Sequence, residues 1–476
     1  MDGLQGALDT IDGFIWGPYL LIPLLLGTGV YLTIRLGGLQ FLKLGAALRL
    51  AFGDSREDAE GDVSHYQALT TALAATVGVG NIAGVATAIS LGGPGAVFWM
   101  WVTALLGMAT KYAEAFMGVR FRSQDANGGM NGGPQHYLAK AIPGRLGVTL
   151  SVMFAVFALV ASFGIGNMTQ VNTVVTQIEG SFQVAPWITG LLLVIATGLA
   201  VIGGIKSIGK VTAAFVPLMI VFYIAAALLV LVLNIGNLLP AFGVIFSDAF
   251  TGTAATGGFV GAGVAAAIQF GVARGIFSNE SGLGTAGIAA AAAKTAHPVR
   301  QGLVSMTQTF IDTIIVVSMT GLVIVTTGAW QVPGLKASQI TSAAFDMGLP
   351  GDWGHYLVTI AVIFFAYSTV LGWEYYGERN AERLWGVRAV YVYRVVFTLV
   401  VFVGATIELD TVWTFSDIAN GLMALPNLIG LLVCGGLIAR ETRAYLNHDA
   451  DLRNPPLVST LHGTDELGEP VDVLVR

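Results

Sequence analysis

Apolar runs long enough to span a bilayer recur along almost the whole chain, and this repetition restricts the fold more than any other feature of the sequence. Crossing ~30 Å of hydrocarbon takes about 20 apolar residues in a helix. Inside that layer the backbone must satisfy its own polar groups, which a helix does. Qualifying runs lie near 16–36, 66–90, 93–119, 147–178, 187–204, 211–234, 257–293, 302–328, 355–378, 389–407 and 412–439. They predict an all-α integral membrane protein with about 11 transmembrane helices. Composition points the same way: 55% of residues are hydrophobic and 11% charged, where soluble domains carry about 25% charge. Trp16, Tyr19, Trp187, Trp330, Trp353 and Tyr356 stand near run ends, where aromatic side chains anchor at the interface.

Several function classes fall away on the same counts. One cysteine, Cys434, excludes a disulfide framework or a multi-thiolate metal site, and the six histidines lack ligand spacing. A net charge of −6 without a basic run argues against nucleic acid as a partner. Asp2, Asp9 and Asp12 stand where a signal peptide would have basic residues.

Basic residues set the expected orientation. With residue 1 outside, only Lys336 of the 23 lysines and arginines falls in an outside loop, and Lys111, Arg274 and Arg394 lie within or at the edge of spans. The expected topology is N-terminus outside and C-terminus cytoplasmic. Residues 1–64 then hold one transmembrane helix and a cytoplasmic surface helix near 39–60, ending in an acidic loop. Residues 65–235 and 236–440 hold five spans each, and 441–476 form a loosely ordered polar tail.

Two spans carry chemistry that a lipid-facing helix would avoid. One is Ala74-Ala75-Thr76-Val77-Gly78-Val79-Gly80-Asn81, and the other Phe277-Ser278-Asn279-Glu280-Ser281-Gly282-Leu283-Gly284-Thr285. Each sets small polar residues and a Gly-x-Gly in mid-span, where the backbone can open only if protein or a cavity surrounds it. The stretches are 204 residues apart and each opens a five-helix unit. An odd number of spans per unit inverts one unit relative to the other. Paired interrupted helices of this kind mark the midplane site of a secondary transporter.

Further residues around these stretches carry a resemblance. Val77-Gly78-Val79-Gly80-Asn81-Ile82-Ala83-Gly84 is followed by Gly92-Gly93-Pro94-Gly95-Ala96-Val97-Phe98-Trp99-Met100-Trp101 and by Gly107-Met108-Ala109-Thr110-Lys111-Tyr112-Ala113-Glu114. Asn279-Glu280-Ser281-Gly282-Leu283-Gly284 and Gly372-Trp373-Glu374-Tyr375-Tyr376-Gly377-Glu378 come later in the same order. Over residues 10–445 the chain resembles the alanine or glycine:cation symporter family. The resemblance implies a LeuT-type 5+5 inverted repeat with one extra N-terminal helix. It also implies sodium-coupled import of small neutral amino acids by alternating access through a bacterial-type inner membrane. Na⁺, the amino acid and lipid are then the partners, with no covalent cofactor, enzymatic activity or obligate protein partner.

A zwitterionic substrate needs a place for each charge. The amides of Gly78, Val79 and Gly80 at a half-helix N-terminus suit its carboxylate, with Asn81 or Thr76 adding a side-chain donor. Opened carbonyls at Phe277 and Ser278, with Thr76, suit its ammonium. Asn167, Gln170, Thr173 and Gln177 recur at helical spacing, so Gln170 either touches substrate or bonds between helices. Trp373 and Phe277 either cap a small side-chain pocket or, for Trp373, only pack. The sodium site implied by the resemblance consists of the Ala74, Val77 and Phe365 carbonyls with the Ser368 and Thr369 hydroxyls.

Ionisable residues within spans are functional candidates. Lys111 and Glu114 are expected to pair with each other. Glu280 either holds the opened helix by hydrogen bonds, with Arg274 as a partner, or lends charge to a cation. Asp312 can serve a second cation or a proton, and Asp417 is a further candidate. Proton coupling through Glu280 or Asp312 is the alternative within the fold; a membrane enzyme or channel is the remote one.

Overall fold

The computed structural model describes residues 2–53, 59–251, 260–407, 410–453, 458–459 and 464–465. Four helices precede the first interrupted one: α1 (Asp2–Ile15), α2 (Leu21–Arg35), α3 (Leu39–Leu42) and α4 (Leu44–Phe52). The interrupted pair is α5 (His65–Thr76) and α6 (Ala83–Gly92), followed by α7 (Gly95–Arg120) and the short α8 (Pro134–Ala141). Then come α9 (Arg145–Phe163) and α10 (Thr169–Phe182), joined through a π-helical segment, and α11 (Pro186–Val201), α12 (Gly204–Leu233) and α13 (Ile235–Thr251). The second interrupted pair is α14 (Val260–Asn279) and α15 (Ala286–Ala291). It leads into α16 (Pro298–Thr309) and α17 (Ser318–Thr327), again joined by a π-helical segment. Last are α18 (Ala337–Gly348), α19 (Gly354–Trp385), α20 (Arg388–Thr406) and α21 (Asp410–His448).

Among the described residues, six stretches are long and apolar enough to cross a membrane: Arg145–Phe182, Gly204–Leu233, Pro298–Thr327, Gly354–Trp385, Arg388–Thr406 and Thr414–His448. The other five expected crossings fall on shorter, interrupted or charged elements. Helix α2 has 15 residues and α11 has 16, two are the broken pairs, and α7 carries Lys111 and Glu114. Leu192 and Leu199 on α11, Leu218 and Val221 on α12, and Tyr391 and Leu399 on α20 lie exposed. Such a belt of large apolar side chains suits lipid rather than water. The glycine faces lie inward instead. A Cβ at Gly118 of α7 would come within 2.3 Å of the Gly287 carbonyl oxygen on α15, so these helices meet backbone to backbone.

Three expectations change. The surface helix near 39–60 is two short helices, α3 and α4, and the acidic residues at 54–58 lie outside the described residues. Segments 235–251 and 337–348, which lie between the expected spans, are helices α13 and α18. The tail expected from 441 onward begins inside α21, and its first turns are docked: Tyr445 is fully buried, Leu452 nearly so, and Arg300 donates to the Leu452 carbonyl at 2.9 Å. Polar composition misled there because several of its charges have partners, as in Arg120–Glu441 at 3.0 Å and Arg300–Asp449 at 3.5 Å. Most of the chain beyond 453 lies outside the described residues.

Candidate functional site

The first break follows from where hydrogen bonds stop. Helix α5 opens with a reciprocal cap between Ser64 and Gln67 and runs until Val77, whose amide still reaches Leu73 at 2.8 Å. The next amides turn away: Gly78 donates to Asn81 Oδ1 at 2.8 Å and Val79 to Gln170 Oε1 at 3.3 Å. Asn81 closes only a short turn, onto the Gly78 carbonyl. The carbonyls of Ala74 and Val77 thereby lose their helical donors.

Two hydroxyls of α19 stand opposite them. Ser368 Oγ lies 3.3 Å from the Ala74 oxygen, 3.4 Å from that of Val77 and 2.8 Å from that of Phe365. Thr369 Oγ1 lies 3.1 Å from both the Ala74 and Phe365 oxygens. The five oxygens that the resemblance implies therefore lie together, without a formal charge among them. The approach requires glycine, because a Cβ at Gly78 would sit 2.3 Å from Thr369 Oγ1.

The second break is held by acids. Helix α14 ends at Asn279 and Glu280 adopts a left-handed φ of 56°, followed by Gly282 at 100° and Gly284 at 91°. The Ser281 amide turns to Asn279 Oδ1, and those of Gly282 and Gly284 both donate to Glu114 Oε1 at 2.9 Å. The Phe277 and Ser278 carbonyls are left without those donors. Glu280 accepts from Thr285 at 2.6 Å and from Trp373 Nε1 at 2.8 Å. Asp312, inside the π-helical segment Phe310–Val317, joins the two breaks. It accepts from Asn81 at 2.7 Å on one oxygen, and from Ser278 at 2.9 Å and Thr313 at 2.7 Å on the other.

Gly80 brings the breaks into contact: a Cβ there would lie 3.1 Å from both the Phe277 ring and the Ser278 Cα. Other expectations need correction. Asn81 is not a free donor, since its amide group is engaged by Asp312 and its oxygen by Gly78. Thr76 Oγ1 donates back to the Ala72 carbonyl at 3.1 Å and accepts from Gln308 at 3.0 Å. Lys111 and Glu114 do not pair: Glu114 faces the amides of the second break, and Lys111 Nζ, fully buried, has no hydrogen-bond partner among the described residues. Arg274 reaches Asp417 at 3.5 Å rather than Glu280.

The polar stripe does not act as one face. Gly164–Met168 is π-helical, and the extra residue turns Asn167 toward the Phe397 carbonyl at 2.8 Å while Gln170 reaches the first break. Glycine permits this too, because a Cβ at Gly166 would lie 2.3 Å from that of Trp373. The role of Glu114 was missed, as was that of Asn427, which donates to it at 2.8 Å. An acid three residues after a lysine reads first as an ion pair; only the fold brings the second break to it.

The chain has relatives among known proteins. The family model described as the sodium:alanine symporter family matches residues 1–458. The chain belongs to this family. It is 54% identical over 443 residues to the sodium/alanine symporter AgcS of Methanococcus maripaludis, covering 92% of this chain and 96% of that protein. It is 34% identical over 455 residues to the probable sodium/glutamine symporter GlnT of Bacillus subtilis, covering 95% and 93%. Among solved structures, MhsT in complex with L-phenylalanine is similar with a TM-score of 0.53 at 18% identity, covering 82% of this chain and 91% of that one. That likeness carries the LeuT-type fold alone. As a member of the sodium:alanine symporter family, the protein is a multi-pass membrane transporter, a sodium-coupled amino-acid symporter and not an enzyme.

Proposed function

We propose that this symporter imports small neutral amino acids, alanine and glycine, together with Na⁺ across an inner membrane. It crosses that membrane eleven times, with residue 1 outside and the C-terminal end in the cytoplasm. The observation that carries the reading is the cluster of five neutral oxygens where the first break meets α19. Its hydroxyl–carbonyl separations run from 2.8 to 3.4 Å. Oxygens around a hard cation at roughly 2.4 Å stand about this far apart. Opened carbonyls beside a half-helix end are the usual coupling-ion ligands of such transporters.

The amino acid sits where Gly80 meets Phe277 and Ser278. Among the described residues the Gly80 amide makes no hydrogen bond to a side chain, so it is available to the carboxylate. Gln170, 3.3 Å from the Val79 amide, marks a second carboxylate position held by a long bond that a ligand can displace. The ammonium faces the Phe277 and Ser278 carbonyls. Phe277 and Trp373 bound the side-chain space, and the close packing at Gly80 and Gly166 keeps it small. The relative of higher identity is named for alanine and the more distant one for glutamine, which favours the smaller substrate here. Because Ser368, Thr369 and Phe365 stand on α19 and the Ala74 and Val77 carbonyls at the end of α5, a bound ion ties α5 to α19. Alternating access then moves the broken helices against α19 and its neighbours around the fixed site.

Uptake of labelled alanine into proteoliposomes, under an imposed Na⁺ gradient and separately an H⁺ gradient, tests the reading. Accumulation on Na⁺ alone, shifted to roughly ten-fold higher Na⁺ in Thr369→Ala, is the expected result. Accumulation on H⁺ alone would move the coupling to Glu280 or Asp312, and none under either would refute the substrate.

A further inference from the structure

Two stripes of exposed side chains run side by side on the outside of the fold and end in arginines. On α21 the exposed residues Ile429, Val433, Arg440 and Arg443 recur at three- and four-residue steps, with Gly436 between them, which puts them on one face of the helix. On α2 Val30 and Ile34 are exposed in the same way, and Arg35 follows. The two helices meet closely at this end: a Cβ at Gly435 would lie 2.5 Å from the Tyr31 ring. One at Gly436 would lie 3.1 Å from Arg35 Nη2, so the Arg35 guanidinium rests in the notch that this glycine leaves. It also stands 5.8 Å from the centre of the Tyr31 ring. Arg440 is one turn beyond Gly436, and Arg443 three residues further. The three arginines thus gather along about 10 Å of helix, comparable with the headgroup layer of one leaflet.

No acid balances them. Among the described residues none of the three forms an ion pair, and Arg443 Nε donates to the neutral Ala439 carbonyl at 3.2 Å. Glu441, which lies between two of them in sequence, is buried and turned to Arg120 at 3.0 Å. Other bases at this end have work elsewhere: Lys43 and Arg49 donate to the Ala450 and Asp451 carbonyls at 2.9 and 2.8 Å. Three exposed guanidiniums therefore close one end of an apolar strip that suits hydrocarbon.

We infer that the face shared by α2 and α21 is a binding site for an anionic phospholipid. Its phosphate is held by Arg35, Arg440 and Arg443, and its chains lie along Val30, Ile34, Ile429 and Val433. Arginine suits a phosphate because its planar fork offers two donors to two oxygens at once. A zwitterionic lipid brings a cation of its own to the three guanidiniums and gains less from them. The bound lipid fastens α2 to the last long helix. The inference is independent of the substrate and sodium readings, and the orientation proposed above only places the lipid in the cytoplasmic leaflet.

Native mass spectrometry tests the inference on the full-length chain, delipidated in detergent and titrated with phosphatidylglycerol, phosphatidylcholine or glycerol 3-phosphate. One phosphatidylglycerol per chain is expected, saturating at a concentration roughly ten-fold below that of phosphatidylcholine. Each arginine near an anionic headgroup is worth a factor of about five. Arg440→Gln should therefore weaken binding about five-fold, and the triple variant Arg35→Gln/Arg440→Gln/Arg443→Gln roughly a hundred-fold. Arg388→Gln, which changes an exposed arginine on α20 outside the strip, should leave binding as it is. Phosphatidylglycerol should raise the thermal midpoint of the wild type and not that of the triple variant. Equal affinity for the two lipids overturns the inference, and so does a preference for phosphatidylglycerol that survives in the triple variant. Should that variant unfold, Arg440→Gln and Arg443→Gln decide singly, and wild-type affinity in both overturns the assignment. Glycerol 3-phosphate bound as tightly as phosphatidylglycerol would show a site for a free phosphate ester and overturn the lipid reading.

Discussion

The two breaks solve the same problem with opposite chemistry. At the first, the freed amides go to neutral side chains, Asn81 and Gln170, and the freed carbonyls face neutral hydroxyls. At the second, a carboxylate gathers the freed amides, and Glu280 and Asp312 tie the ends to their neighbours. An acid bound to backbone amides makes charge-assisted bonds, about twice as strong as neutral ones. The second break is thus the firmly held one. The first has weaker, exchangeable partners, as suits a place where an ion and a substrate come and go. Formal charge marks the braced break, and its absence marks the oxygen cluster.

The comparison breaks most readily at Glu114. Glu114→Ala leaves the Gly282 and Gly284 amides buried without their acceptor and takes one of two acceptors from Asn427, and each buried donor left unsatisfied costs about 1–3 kcal/mol. A clear fall in the thermal midpoint of detergent-solubilised protein is expected, with partial recovery in Glu114→Gln. An unchanged midpoint would mean that the second break holds its shape without the acid. Next comes Gly78→Ala, which places a methyl group 2.3 Å from Thr369 Oγ1. It should abolish sodium-driven uptake while the fold survives, and wild-type uptake would show that the oxygen cluster is not used. Thr369→Ala removes one neutral ligand, a loss of about 1–2 kcal/mol. The sodium concentration for half-maximal alanine uptake should rise roughly ten-fold. Asp312→Asn should weaken the tie between the breaks but leave the number of sodium ions per alanine unchanged; a lower number would make Asp312 a cation ligand.

How far the sequence reveals this depends on what each feature needs. Interruptions at Val77–Gly80 and Glu280–Gly284 are legible because Gly-x-Gly in an apolar span has a local cause, and so is the pairing of two such units. The oxygens around Ser368 and Thr369 are legible only through the family resemblance, since nothing local to Phe365-Ala366-Tyr367-Ser368-Thr369 says that it will meet Ala74. The π-helical segments at Gly164–Met168 and Phe310–Val317 are invisible to a 3.6-residue reading, which is why the stripe from Asn167 to Gln177 looked like one face. Lys111 and Glu114 mislead for a similar reason. Spacing along a helix measures which side chains can meet, while burial against α15 decides which do.

The smallest expected effect sharpens the contrast further. Lys111 is fully buried beside the elements that carry Glu114, Glu280 and Asp312, yet its ammonium has no hydrogen bond to lose. If the second break is held by directed hydrogen bonds, Lys111→Met should change stability by no more than about 1 kcal/mol, since a methionine fills nearly the same volume. The amides of Gly282 and Gly284 would keep their acceptor, and Asp312 would keep Asn81, Ser278 and Thr313. Uptake and the thermal midpoint should then stay near wild type, well apart from those of Glu114→Ala. A loss as large as that of Glu114→Ala would show instead that the acids are held by a diffuse field from one buried cation. The second break would then be a charge-balanced site like those of many ion pumps, and its hydrogen bonds a consequence of that balance rather than its cause.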